Sequence, residues 1–130
     1  MSLEMNSKIA VIEDNLHISE LIHYNLEAEG YLVVAAYDGE NGYKMVNEEK
    51  PDLVILDLML PKIDGLKVCR MIRSSETLST IPVIILTGKF SEIDRISGLE
   101  AGADDCIPKP FSIFELKARI NSILMDRGGY

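Results

Sequence analysis

Five short apolar runs alternate with longer segments whose apolar residues recur every three or four positions. The runs lie at 8–12, 31–36, 53–57, 83–86 and 105–108. Leu53-Val54-Ile55-Leu56, bounded upstream by Pro51-Asp52, is four apolar residues in a row. It reads as a strand buried on both faces, as in the middle of a parallel sheet. Asn15 suits the N-cap of a first helix carrying Ile18, Leu21, Ile22 and Leu26, with Gly30 where a C′ glycine belongs. Asp38-Gly39 turns the chain into a second helix with Tyr43, Met45 and Val46, closed before Pro51. Pro61 to Gly65 is a loop, and Leu66, Cys69 and Ile72 mark a third helix with Arg70 and Arg73 late in it, where the helix dipole favours cations. The fourth helix is the weakest: Ser91 can cap it, Ile93, Ile96 and Leu99 can face inward, but Ser97-Gly98 and the β-branched residues lower its propensity. The fifth opens with a capping box, Ser112-x-x-Glu115, and continues with Leu116, Ile120, Ile123 and Leu124. Strand and helix alternate five times, which predicts a three-layer α/β/α sandwich around a doubly wound, five-stranded parallel sheet of order 2-1-3-4-5.

Length and composition narrow this further. A chain of 130 residues, 47% hydrophobic and 26% charged, is read as one domain over 8–126, with 1–7 as a disordered leader. No apolar run approaches the ~18 residues of a membrane span and no signal-peptide pattern opens the chain, so a cytoplasmic domain without a membrane partner is expected. The net charge of −8, with no basic run, argues against direct binding to nucleic acid. Cys69 and Cys106 lack metal-ligand spacing and are read as free thiols.

The strand ends carry the candidate chemistry. Strand one runs into Glu13-Asp14, strand three ends in Asp57, strand four ends in Thr87, and strand five is followed by Lys109. In a doubly wound sheet the carboxyl ends of strands one and three flank the switch point where ligands bind. Singly, each is an ordinary turn or surface residue; together they bring three carboxylates, a hydroxyl and an ammonium to one edge. A carboxylate can attack phosphorus and form an acyl phosphate. Because nucleophile and phosphoryl group are both anionic, the approach needs cations. Mg²⁺ takes oxygen ligands and keeps water, Lys109 adds a mobile charge and Thr87 a donor.

The same residues resemble the receiver domain of a two-component response regulator, over essentially the whole chain from Lys8 to about Leu124. The matching motifs are Glu13-Asp14, Asp57-Leu58-Met59-Leu60-Pro61, Asp64-Gly65, Thr87-Gly88, Gly102-Ala103-Asp104-Asp105 and Lys109-Pro110-Phe111. The resemblance implies a flavodoxin-like (βα)5 fold and a module that takes a phosphoryl group from a sensor histidine kinase onto Asp57, catalysing its own phosphorylation and slow dephosphorylation. It implies that Glu13, Asp14, Asp57 and the Met59 carbonyl hold Mg²⁺ (or Mn²⁺), that Thr87 and Lys109 contact the acceptor site, and that Lys109–Pro110 is cis. Three other readings fit less well. A haloacid-dehalogenase-type phosphatase wants an Asp where Met59 stands. A flavodoxin-like mononucleotide binder wants a Ser/Thr/Gly-rich loop, and Glu13-Asp14-Asn15 would repel a phosphate. A pseudo-receiver serving only as an interaction module would typically lack the acceptor or the lysine.

Two further expectations concern signalling. Three residues before Lys109, where receivers usually carry a rotating aromatic, this chain has Cys106, so the switch is assigned to Thr87 and the loop after it; a redox role for Cys106 would require a depressed thiol pKa. The run from Lys89 to Arg119 resembles receivers of the winged-helix transcription-factor class, which pair through helix 4, strand 5 and helix 5. Arg95, Asp104, Asp105, Glu115 and Arg119 match the charges used there, implying a homodimer on phosphorylation and possible control of transcription; Asp126 stands where a further basic residue is usual. His17 and His23 are read as solvated residues of the first helix.

Overall fold

The computed structural model describes residues 6–88 and 92–127. The chain runs β1 (Lys8–Ile12), α1 (Leu16–Ala28), β2 (Leu32–Ala36), α2 (Gly39–Glu49), β3 (Leu53–Asp57), α3 (Gly65–Ser74), β4 (Val83–Thr87), α4 (Glu92–Glu100), β5 (Asp105–Pro108) and α5 (Ile113–Arg127). All strand pairs are parallel, in the order β2-β1-β3-β4-β5. No helix among the described residues is long and apolar enough to cross a membrane.

Alternation along the central strands divides the core in two. Ala10, Ile12, Val54, Leu56, Val83, Ile85 and Cys106 face one way, with Val46 of α2, Cys69 and Ile72 of α3, and Ala101. Ile9, Val11, Leu53, Ile55, Ile84, Leu86 and Ile107 face the other, against Ile22 and Leu26 of α1 and Leu116 and Ile120 of α5. Both faces of β3 and β4 are therefore dry, which is why these strands carry unbroken apolar runs.

The helix ends follow the expected local chemistry. Asn15, Asp38 and Asp64 cap α1, α2 and α3, each accepting a hydrogen bond from a backbone N–H three residues on. Gly30 follows α1 at φ +98°. The capping box of α5 is half formed: Glu115 N donates to Ser112 Oγ at 3.3 Å, while the Glu115 carboxylate turns to Arg119.

Two helix faces differ from the sequence expectation. On α1, Leu21 is exposed and Ser19 takes the buried position, because the inward stripe runs through 18, 19, 22 and 26 and leaves 21 on its flank. On α4, Ile96 and Leu99 face solvent, and among the described side chains and glycine of the helix the buried position is Gly98. A Cβ built on Gly98 would lie 2.7 Å from Cys106 Sγ and 3.3 Å from Ile85 Cδ1, so the helix approaches the sheet by its backbone, where only glycine fits. Ser91 and the side chain of Ile93 lie outside the described residues, as does Lys89.

Candidate functional site

The register assembles the site. Ile12 is opposite Leu56, so Glu13 emerges beside Asp57; Asp57 is opposite Leu86, so Thr87 follows at the same edge. Thr87 pairs with Pro108, and its carbonyl accepts Lys109 N at 2.7 Å, which sets Lys109 next to it. The following Lys109–Pro110 bond is cis. The loop behind the acceptor is equally constrained. Gly65 N donates to Leu58 O at 2.9 Å, and a Cβ on Gly65 would collide with the Asp57 carbonyl. Helix α3 can therefore begin directly under the acceptor strand only because it begins with glycine.

All five predicted site residues meet at this edge. Glu13, Asp57 and Thr87 are buried, and Asp14 is exposed at the rim. Glu13, Asp14 and Asp57 each offer a carboxylate oxygen, and these atoms lie within 4.8 Å of one another. Lys109 Nζ stands 2.8 Å from Glu13 Oε1 and 3.4 Å from Asp57 Oδ1, bridging the two buried carboxylates. Met59 N donates to Asp57 Oδ1 at 3.3 Å, and Asn15 N to Glu13 Oε2 at 3.0 Å. The Met59 side chain is exposed at the mouth of the site.

The electrostatics are those of a crowded anionic pocket. Burial, and next the charge of Glu13, push Asp57 up to about 6, against the opposing pull of Lys109 and the Met59 N–H. Burial works to lower Lys109, but the Glu13 and Asp57 carboxylates outweigh it and hold the ammonium above its ordinary value. Among the described residues one ammonium thus faces three carboxylates, so positive charge is in deficit there. The donor set fits a hard divalent cation on its chemistry: three carboxylates converge, two of them buried, and Lys109 Nζ contacts only those two of the three.

Cys106 is buried on the α4 side, its Sγ donating to Arg95 O at 3.6 Å. Burial pushes its thiol up to about 11, the reverse of the shift a redox-active cysteine requires. His17 is exposed and His23 pairs with Glu27 at 3.1 Å on the surface of α1, as read from the sequence. On the α4–β5–α5 face, the β5 and α5 charges Asp105, Glu115 and Arg119 are paired within the chain. Arg119 contacts both Asp105 and Glu115. Asp104 turns the other way, taking Arg73 Nη2 and Val83 N, each at 2.8 Å. Arg73 also donates to Gly102 O at 2.8 Å and Ile81 O at 2.6 Å, stapling the end of α3 to the α4–β5 turn. Its late-helix position was legible; its four-way bonding was not, because three of the four partners, Gly102 O, Ile81 O and Ser79 O, are backbone carbonyls that any sequence would supply.

Comparison with known proteins agrees with this geometry. The family model described as the response regulator receiver domain matches residues 9–121. The alkaline phosphatase synthesis transcriptional regulatory protein PhoP of Bacillus subtilis (strain 168) is 48% identical over 120 residues, 92% of this chain and 49% of its own; the chain spans about half the length of this curated relative. Among solved structures, the beryllofluoride-activated N-terminal receiver domain of Klebsiella pneumoniae RstA is 36% identical with TM-score 0.84, over 90% of this chain and 97% of that one. The receiver domain of the sensor histidine kinase PA1611 of Pseudomonas aeruginosa PAO1, with magnesium coordinated in its active-site cleft, is 30% identical with TM-score 0.85, over 92% and 98%.

Proposed function

The chain belongs to the response regulator receiver domain family, the phosphoacceptor modules of two-component signalling, and from that premise we propose that Asp57 receives a phosphoryl group from a sensor histidine kinase. The observation that carries this reading is the bridging of Asp57 and Glu13 by Lys109, at the edge where the three carboxylates converge. In the transfer, an Asp57 carboxylate oxygen attacks phosphorus, the phosphorus–nitrogen bond to the donor imidazole breaks, and an acyl phosphate forms. Lys109 holds the acceptor in place and offsets charge on the phosphoryl oxygens, and the Thr87 hydroxyl donates to one of them. Glu13, Asp14, Asp57 and the Met59 carbonyl would hold Mg²⁺, whose charge when bound neutralises the two anionic reactants. Among the described residues the carboxylates beside Asp57 are Glu13, paired with Lys109, and Asp14, both assigned to the metal and not to activating water, which suits a modification that must persist. A pseudo-receiver gains nothing from the structure, since acceptor and lysine are both in place.

Incubation with acetyl phosphate and Mg²⁺, followed by intact mass measurement, tests this. We expect a gain of one phosphoryl group, abolished by Asp57→Asn and by removal of metal. Incorporation that survives Asp57→Asn would reassign the site.

For output, the reading extends to the α4–β5–α5 face. Arg95, Asp105, Glu115 and Arg119, with the exposed Ile96 and Leu99, would form a phosphorylation-enhanced homodimer, in which Asp104 serves through the Arg73 staple that holds the β5 turn.

A further inference from the structure

The loop behind the acceptor turns through a single residue. Lys62 has φ +72°, and Ile63 N donates to Pro61 O at 2.9 Å, which closes a γ-turn centred on Lys62. With a positive φ at its centre this is the rarer, strained form of that turn, and lysine lacks the freedom of glycine to adopt it. Such a conformation persists only where its surroundings over-determine it. The Lys62 side chain is exposed, so the constraint comes from the backbone on either side. Its source is α2. Pro61 O accepts a second hydrogen bond, from Gly39 N at 3.1 Å. Gly39 is the buried first residue of α2, and a Cβ on it would stand 1.8 Å from Ile63 O, so the helix start lies flat against the exit of the turn. The same helix reaches β1 through Gly42, where a Cβ would stand 2.6 Å from Ile12 Cγ2, one residue before Glu13.

Met59 lies between the acceptor and this turn. On one side Leu58 is bound twice, its N donating to Leu86 O at 3.0 Å and its carbonyl accepting Gly65 N at 2.9 Å. On the other, Leu60 packs partly into the core and Pro61 is tied to α2. Met59 itself donates its N–H to Asp57 Oδ1 at 3.3 Å and leaves its side chain 71% exposed. That side chain packs too little to orient the residue, so the direction of the Met59 carbonyl is set by where its neighbours are held.

We propose that Lys62 and Gly39 are positioning residues for the divalent cation: the strained turn, docked on the start of α2, sets the Met59 carbonyl where it joins Glu13, Asp14 and Asp57 as a ligand. This rests on the metal part of the phosphoacceptor reading and names what holds the one ligand that comes from the backbone. A carboxylate can rotate to follow an ion, whereas a carbonyl moves only with the chain. Mg²⁺ demands near-ideal geometry, so its affinity depends on how firmly that chain is anchored. What matters at position 62 is the turn and not the ammonium.

Substitutions that separate turn from side chain test this. Lys62→Gly and Lys62→Asn remove the charge and accept a positive φ, which the β-branched Lys62→Val does not. Mn²⁺ affinity is read from the electron paramagnetic resonance signal of the free ion. It should stay within about twofold of wild type in the first two variants and fall about tenfold in Lys62→Val and in Gly39→Ala. In reactions with acetyl phosphate, the Mg²⁺ concentration giving half the maximal rate should rise in step, while the rate at saturating Mg²⁺ holds near wild type; a merely structural loss would lower that rate too. Metal-free thermal melts establish that each variant is folded, and if Gly39→Ala is not, the Lys62 series decides. Wild-type affinity in folded Lys62→Val overturns the proposal, and so does a loss in Lys62→Gly equal to that in Lys62→Val. A wild-type chain that binds Mn²⁺ but gains no phosphoryl group overturns the acceptor reading alone, and the affinity series then still supports the positioning role. A wild-type chain that binds no Mn²⁺ overturns the metal site and this proposal together.

Discussion

Asp57 is the residue where structure and function conflict. Its carboxyl holds a proton more tightly in the fold than its ordinary value of 3.8, with burial first and Glu13 second as causes. The sign follows from linkage. The stability this group contributes is fully present below about 4 and is lost as pH rises through about 6, where the buried carboxylate must ionise. By pH 7.5 the cost is on the order of 3 kcal/mol if none of it is relieved by solvent. Asp57→Asn removes that charge and leaves Lys109 its Glu13 partner, so in metal-free buffer the variant should melt several degrees above wild type at pH 7.5. The difference should shrink toward zero at pH 4.5, and thermal melts at the two pH values decide it; an Asn variant equal or weaker at pH 7.5 would mean the acceptor is not strained. A cation relieves the same repulsion. Mg²⁺ at a hundredfold excess over its dissociation constant should stabilise wild type by about 2.7 kcal/mol, and Asp14→Asn should lose most of that gain. A melting temperature that ignores millimolar Mg²⁺ would count against a metal site. The identities and positions of these residues were legible because each lies at a strand end, and strand ends are marked by where an apolar run stops. The Lys109–Glu13 contact, closer than Lys109–Asp57, was not, since distances of a few tenths of an ångström depend on backbone placement and not on residue order.

At the scale of elements, what the sequence conveyed depended on how the helix packs. Strands β3 and β4 and the caps at Asn15, Asp38 and Asp64 were legible because burial on two faces and N-terminal hydrogen bonding act through residue type alone. Helix α4 was misread on its facing because its apolar pattern was taken as its inner face. Its close approach runs through Gly98 instead, so Ile96 and Leu99 are left outside, 45% and 41% exposed. Glycine as a contact surface gives no hydrophobic signal, and the same blindness applied at Gly65. There the first residue of α3 sits against the backbone of Asp57 and Leu58, with Leu58 Cα 2.8 Å from where a methyl would be. Those neighbours are backbone atoms of the acceptor strand and its loop, and they cannot rotate away. Gly65→Ala should therefore cost about 1–3 kcal/mol by urea denaturation and also slow phosphorylation, as the acceptor loop shifts. A loss below ~0.5 kcal/mol with unchanged phosphorylation would show that the α3 start adjusts freely.

At the scale of the whole molecule, the question is how a change at one sheet edge alters what other proteins meet. Among the described residues of the α4–β5–α5 face are two exposed aliphatic side chains of α4, Ile96 and Leu99, and charges already satisfied within the chain, Arg119 with Asp105 and Glu115. A second copy can take up those charges only by exchanging internal pairs for external ones of similar strength, and exposed pairs are worth roughly 0–1 kcal/mol each. The charges therefore set register, and the net gain comes from covering Ile96 and Leu99. Self-association should accordingly be weak in the resting chain, where the net charge of −8 also opposes it, and should strengthen when α4 is repositioned. Sedimentation of the chain with Mg²⁺ and beryllofluoride should show dimer at concentrations where the untreated protein is monomeric. Arg119→Glu, which turns the pairing cation into a third acid beside Asp105 and Glu115, should abolish it while leaving phosphorylation at Asp57 intact. If the activated chain stays monomeric at high micromolar concentration, or if Arg119→Glu dimerises as well as wild type, this face is not the dimer surface. Asp57 would still be the acceptor, and α4 would then be presented to a partner other than a second copy.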